Sequence, residues 1–380
     1  MANNVKQTKP KRKKIKLQNY DYTILLVVIV LVFFGAIMIF SSSYYTTLTS
    51  AKFKNDMYYF FKRQLLWAFL GFIVMFITMR LSLTFLKRIS FIAYLTSNFF
   101  LLLLPILGDE AKGQKRWLSL GPISFQPSEI AKISVILFLA FYISSHKNIL
   151  KDIKGFFRCC IILGIPVILI VMTNLSTAIV VSFMGAAVLF VASPKIWYFI
   201  LMGILAVMGG VLAVSLPQFR YRFTRIKAWL DPFSDPLVSG FQIIQGLYAV
   251  ASGGFFGLGL GQSRQKTFIP EAHNDIIFAI ICEELGMMGA FVVILLFAIL
   301  IWRGFKIAID SQDTFNCLVA TGITSMIGIQ ALINIAVVTN TIPNTGQPLP
   351  FISYGGTSLL FTMASVGILL NISKYTKNKD

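Results

Sequence analysis

The sequence predicts an all-α polytopic membrane protein with about ten transmembrane helices and a long outer loop between helices 7 and 8. Three observations carry this. The 380 residues are 56% hydrophobic and 13% charged, against about 25% charged in a soluble domain. The apolar residues fall in runs near the ~20 residues that cross a bilayer core. The net charge of +19 is spread over the segments between those runs. That is the pattern of membrane orientation, not of a basic face that binds nucleic acid.

The elements follow in order. Residues 1–20 hold Lys6, Lys9, Lys11, Arg12, Lys13, Lys14 and Lys16, and read as a disordered basic cytoplasmic tail beside anionic lipid. No small-residue cleavage site follows the first apolar run, so that run is a retained helix. Runs near 22–41, 64–80, 90–107, 126–143, 159–173, 176–193, 196–216, 276–302, 317–340 and 357–373 make a single transmembrane domain over 21–375, with a second cytoplasmic tail at 376–380. An even number of spans puts both termini in the cytoplasm. Little more than Asn174-Leu175-Ser176 separates the fifth run from the sixth, and one continuous helix there would invert everything downstream. Lys and Arg in the short loops follow the positive-inside rule, but the segment 217–275 is basic on the outer side. Cys159, Cys160, Cys282 and Cys317 lie in or beside apolar runs, with no metal-site or disulfide spacing.

The long loop opens with an amphipathic basic and aromatic stretch, Tyr221 to Pro232, that suits either an interfacial helix or a surface for an anion. Its glycine-rich part, Gly253-Gly-Phe-Phe-Gly-Leu-Gly-Leu-Gly261, follows no strand and is not a nucleotide loop. Glycine there lets the backbone line a cavity and approach a ligand. The loop ends on Glu271, His273 and Asp275, just before the eighth run. Asp275 reads as a helix-start acid, or as a general base or metal ligand at the membrane edge. Glu283 and Glu284 lie about 12–13 Å deeper at ~1.5 Å per residue and read as buried partners of cations.

Two further constellations stand out. Gln126-Pro127-Ser128-Glu129 is a helix start, and Lys132 is three residues past Glu129, on one face with it. An ion pair and a cavity for an anionic headgroup both fit. Pro343 to Ser358 carries three prolines and three glycines plus Ser353, which is irregular backbone fit to line a polar cavity. Gln330 and Asn334, four apart in the ninth run, suit interhelical hydrogen bonds.

Together these stretches resemble the SEDS family (shape, elongation, division and sporulation) of membrane glycosyltransferases. The matching residues are Lys115-Arg116-Trp117, Gln126 to Glu129 with Lys132, Tyr221-Arg222…Arg225 with Asp231-Pro232, Gly259…Ser263…Lys266, Pro270 to Asp275 with Glu283-Glu284-Leu-Gly286, and Pro348 to Gly356. The Pro343-to-Phe351 stretch resembles the division-type branch more than the elongation-type one. The chain departs from the family at Met172-Thr-Asn-Leu-Ser-Thr177, where Asn174 stands for a carboxylate and Ser176 for a glycine.

The resemblance implies polymerisation of lipid II, an undecaprenyl-diphosphate disaccharide-pentapeptide, at the outer leaflet of the bacterial cell membrane. It implies Asp275 as general base, and Arg116, Lys132, Lys266, Ser263, His273, Glu271 and Ser353 at the substrate, with Arg264 a weaker candidate. Glu129, Glu283, Glu284, Gln330 and Asn334 are supporting residues. A divalent cation, magnesium or manganese, fits a diphosphate leaving group, but no ligand spacing marks its site. The implied partners are a class B penicillin-binding protein and other divisome or elongasome membrane proteins. A lipid II flippase and a non-catalytic scaffold for a transpeptidase are the alternatives.

Overall fold

The computed structural model describes residues 20–111, 114–120, 123–146, 148–204 and 220–376. The basic tail ahead of residue 20, residues 377–380 and the second half of the seventh apolar run lie outside them. Among the described residues nine helices are long and apolar enough to cross a membrane. They are α1 (Tyr22–Thr49), α2 (Tyr59–Arg80), α3 (Leu83–Leu107), α4 (Pro127–Ser145), α5 (Ile153–Val171), α6 (Leu175–Ala192), α9 (Ile277–Asp310), α10 (Thr314–Val338) and α11 (Gly356–Ser373). The seventh run is helical at 197–204. Two shorter helices, α7 (Arg220–Leu230) and α8 (Phe241–Ser252), lie in the long loop.

Local chemistry sets the helix starts. The carboxylate of Asp21 accepts the amide of Ile24 at 3.2 Å, and Ser82 does the same for Phe85 at 3.1 Å. These satisfy donors that a helix start leaves open. Asp21 also takes Arg303 at 2.6 Å, tying the start of α1 to the far end of α9. Pro127 opens α4, where its missing N–H costs nothing. Asn174 caps α6 by accepting the amide of Thr177 at 3.2 Å. The fifth and sixth runs are therefore separate helices. Asn caps a helix about as well as Asp, so the loss of the carboxylate leaves this turn intact.

The packing has a centre and a rim. Most of α4, α10 and α11 is buried, while α2 and α3 show Leu66, Phe69, Phe76, Phe91, Phe99 and Leu102 outward. Outward faces this apolar suit the hydrocarbon of a membrane better than water. α2 and α11 make the tightest helix pair. A Cβ on Gly367 would stand 1.9 Å from the Thr78 hydroxyl, so only glycine allows this approach.

The helical expectation misses one element. Strands β1 (Asp109–Ala111), β2 (Gln114–Leu120) and β3 (Ile123–Phe125) form an antiparallel sheet in the order β1-β2-β3. Trp117 pairs with Asp109, and Leu118 with Phe125. Strands this short have too little alternation to stand out between two membrane runs. The sheet carries the Lys115-Arg116-Trp117 motif.

Candidate active site

A cavity of about 1640 Å³ opens where α2, the small sheet, the α5–α6 turn, the long loop and the segment before α11 meet. Asp275 and Glu271 line it together with Arg116, Lys115, Arg225 and Arg63. The irregular Pro343–Ser358 segment supplies much of its wall, including Gln347 and Tyr354. Arg116 is held in place by donating from Nε to the Thr173 carbonyl at 3.0 Å. Arg225 donates to the Asn344 carbonyl at 3.0 Å. The Arg63 guanidinium lies 4.4 Å from the Tyr59 ring centroid. Burial pushes the Tyr354 phenol above its ordinary value, with the Arg63 hydrogen bond opposing that. The phenol therefore stays a neutral donor through the physiological range.

Asp275 sits just before α9. The capping position falls on Ile276, whose side chain makes no cap hydrogen bond. The acid is thus one residue too early to serve as the cap. Glu271 has a left-handed backbone, φ 52°, and its carboxylate accepts a hydrogen bond from the side-chain Nδ2 of Asn274 at 2.7 Å. It turns the chain beside Asp275 rather than sharing a helix face with it.

The other expected residues divide into two groups. Glu129 lines the cavity, but Lys132 lies behind it and is buried, with its Nζ 2.9 Å from Glu129. That favours the ion pair over direct contact with a headgroup. Lys266 and Ser263 do not reach the cavity wall. Lys266 is buried and bonds Glu284 at 3.1 Å and the Gly261 carbonyl at 2.6 Å, over the Tyr44 ring. Ser263 donates to Glu283. Arg264 is likewise outside the wall and gives its backbone amide to Glu283 at 2.9 Å. Ser41 donates to Glu284 at 2.5 Å. His273 is buried with its ring 4.1 Å from that of Phe60. The Ser353 hydroxyl is spent on the Asn274 carbonyl at 2.6 Å.

The glycine-rich segment also departs from expectation. Its backbone packs against α9, and it does not line the cavity. Leu258 and Gly259 donate to the carbonyls of Glu283 and Glu284 at 2.9 Å, and Met287 donates to Gly254 at 3.0 Å. α9 is broken at Gly286, φ 66°, and a Cβ there would meet the Gly257 nitrogen at 2.3 Å. The loop backbone takes up the hydrogen bonds that the break releases, which a non-helical backbone at membrane depth requires.

Sequence reasoning did not single out Arg63, Trp67 and Gln242, which line the cavity, and it marked the Pro343–Ser358 segment as cavity wall without picking out Asn344 and Gln347. Arg63 and Trp67 are four residues apart at the start of α2, a spacing that puts them on one face. That was the available signal. Gln242 and Asn344 bond each other at 3.2 Å across 102 residues, and nothing local announces such a pair.

The bundle of spanning helices and its cation-lined polar cavity define a multi-pass membrane protein. The chain belongs to the FtsW/RodA/SpoVE family of cell cycle proteins, whose profile matches residues 21–378. It is 44% identical to stage V sporulation protein E of Bacillus subtilis over 85% of this chain and 89% of that one. It is 39% identical to a probable peptidoglycan glycosyltransferase FtsW of Geobacter sp. over 94% of this chain and 98% of that one. Among solved structures, it resembles a chain from work on polymerization and crosslinking by a peptidoglycan synthase complex. The TM-score is 0.76 at 28% identity, covering 93% of this chain and 97% of that one. It also resembles the rod shape determining protein RodA of Thermus thermophilus, with a TM-score of 0.70 at 25% identity, covering 94% and 98%.

Proposed function

We propose that this protein is a peptidoglycan glycosyltransferase that polymerises lipid II at the outer leaflet, in the manner of the division-type members. One observation carries the reading. A single cavity gathers the Asp275 carboxylate with Arg63, Lys115, Arg116 and Arg225. Glycosyl transfer from a lipid diphosphate needs both parts: a base for the acceptor hydroxyl and cations for the leaving diphosphate.

Asp275 accepts the proton of the acceptor sugar 4-hydroxyl as that oxygen attacks the donor anomeric carbon. The bond from that carbon to the diphosphate oxygen breaks with the electron pair going to the diphosphate. An α-linked donor thus gives a β-linkage in one displacement, with no covalent enzyme intermediate. Arg116 is the foremost candidate for the diphosphate because its guanidinium is already oriented by Thr173. Lys132 supports this indirectly by compensating Glu129 at the cavity wall. Lys266, Ser263 and His273 support the loop that carries Asp275. Among the described residues no group of three or more His, Cys, Asp or Glu side chains could hold a metal. Both termini lie in the cytoplasm on this reading, the 217–275 loop is outside, and a class B penicillin-binding protein transpeptidase is the partner.

The test is purified protein with lipid II in detergent, where transport across a membrane has no meaning. Glycan chains are the expected product. If none form, even with a partner transpeptidase present, the flippase or scaffold reading takes precedence.

A further inference from the structure

The segment carrying Asp275 has no regular structure of its own, yet three successive backbone carbonyls are pinned. His273 accepts the Tyr354 amide at 2.9 Å. Asn274 accepts the Ser353 hydroxyl at 2.6 Å, and that hydroxyl in turn accepts the Leu349 amide at 2.8 Å. Asp275 accepts a hydrogen bond from Nδ2 of Asn334 at 2.7 Å. Two of these three donors belong to the Pro343–Ser358 segment, which is itself irregular. Only Asn334 stands on a spanning helix, α10, and it is fully buried.

Asn334 uses its two amide hydrogens on two different segments of the chain. The second goes to the Gln347 carbonyl at 2.8 Å. Gln347 lines the cavity, and its neighbour Gly346 is close enough that a Cβ on it would stand 3.5 Å from Asp275 Oδ2. One carboxamide therefore ties together the two backbone segments that flank the carboxylate and refers both to a rigid helix. Precision at a reacting centre comes from this kind of supporting hydrogen bond. A carboxamide is suited to the task because it offers two donors from one atom.

We propose that Asn334 is a positioning residue that sets the place of the Asp275 carboxylate by clamping the 273–275 and 346–347 backbones onto α10. The consequence for catalysis rests on the transferase reading above. The clamp itself does not. Asn334→Ala removes both donors. Asn334→Asp keeps the shape but turns an oxygen towards two carbonyl oxygens. The control is Thr324→Val on the same helix, ten residues from the clamp, where a buried hydroxyl packed against Gly304 is removed.

Two measurements decide it. Backbone amide exchange over residues 273–277 should accelerate in Asn334→Ala and Asn334→Asp but not in Thr324→Val, because exchange reports local opening. In turnover of lipid II, kcat should fall about 100-fold in the Asn334 variants with KM within about threefold, the scale of a ~1 Å misplacement. Thr324→Val should keep wild-type kcat. Unchanged exchange in the Asn334 variants would overturn the clamp. A fall in kcat that Thr324→Val reproduces would reduce Asn334 to ordinary packing and overturn the proposal. Accelerated exchange in a protein whose wild type makes no glycan would leave the clamp standing and remove the transferase reading instead.

Discussion

Two acidic regions lie within ten residues of each other along the chain, and they are built in opposite ways. Around Asp275 the walls are polar, cationic and open to a large cavity. Around Glu283 and Glu284 the donors close in. Glu283 takes the Ser263 hydroxyl and the amides of Arg264 and Gln265, and Glu284 takes Ser41, the Ser263 amide and Lys266. Both glutamates are fully buried. An ionised side chain in a membrane span marks function by default. The contrast lies in what each carboxylate faces. Glu283 and Glu284 face a closed set of the protein's own donors. Asp275 faces a cavity that Arg63, Lys115, Arg116 and Arg225 also line.

The comparison can be broken most forcefully at Lys266. Lys266→Met leaves Glu284 buried without its cation, which should cost about 3–5 kcal/mol. The double variant Lys266→Met/Glu284→Gln should recover most of that loss, as read by thermal unfolding in detergent. A single variant as stable as wild type but inactive would move Lys266 to the substrate side. The next largest effect belongs to the cavity. Arg116→Ala should lower turnover about 100-fold, worth ~2.7 kcal/mol of transition-state stabilisation, with unfolding little changed. If stability falls in step with activity, Arg116 serves the fold instead. Gly286→Ala forces a Cβ into the Gly257 backbone at a positive φ, and should cost about 1–3 kcal/mol in the same unfolding assay. The smallest effect is at the family departure. Asn174→Asp keeps the α6 cap and should shift stability by no more than about 0.5 kcal/mol. A larger loss would show that the turn has come to depend on a neutral side chain.

How far the sequence spoke for itself follows from the range of each interaction. Spanning helices rest on apolar runs, and α4 with its proline start and its Glu129–Lys132 pair is local throughout. The Pro343–Ser358 segment was legible as cavity wall because prolines and glycines constrain their own backbone. The destination of Lys266 was not. It meets Glu284 only because the glycine-rich loop folds back on a broken α9, and no spacing between residues 266 and 284 encodes that return. The same glycines looked like a ligand cradle because close backbone approach has one signature, whatever is being approached. Asn334 looked like an interhelical hydrogen bond and turned out to serve two loop carbonyls instead.

The central claim is that the chemistry rests on one carboxylate in the open cavity. Glycan formation from lipid II by purified Asp275→Asn, at matched folded fraction, tests it most directly. The account predicts chains from wild type and none above background from the variant, although both bind lipid II. Polymerisation by the variant at the wild-type rate would contradict it.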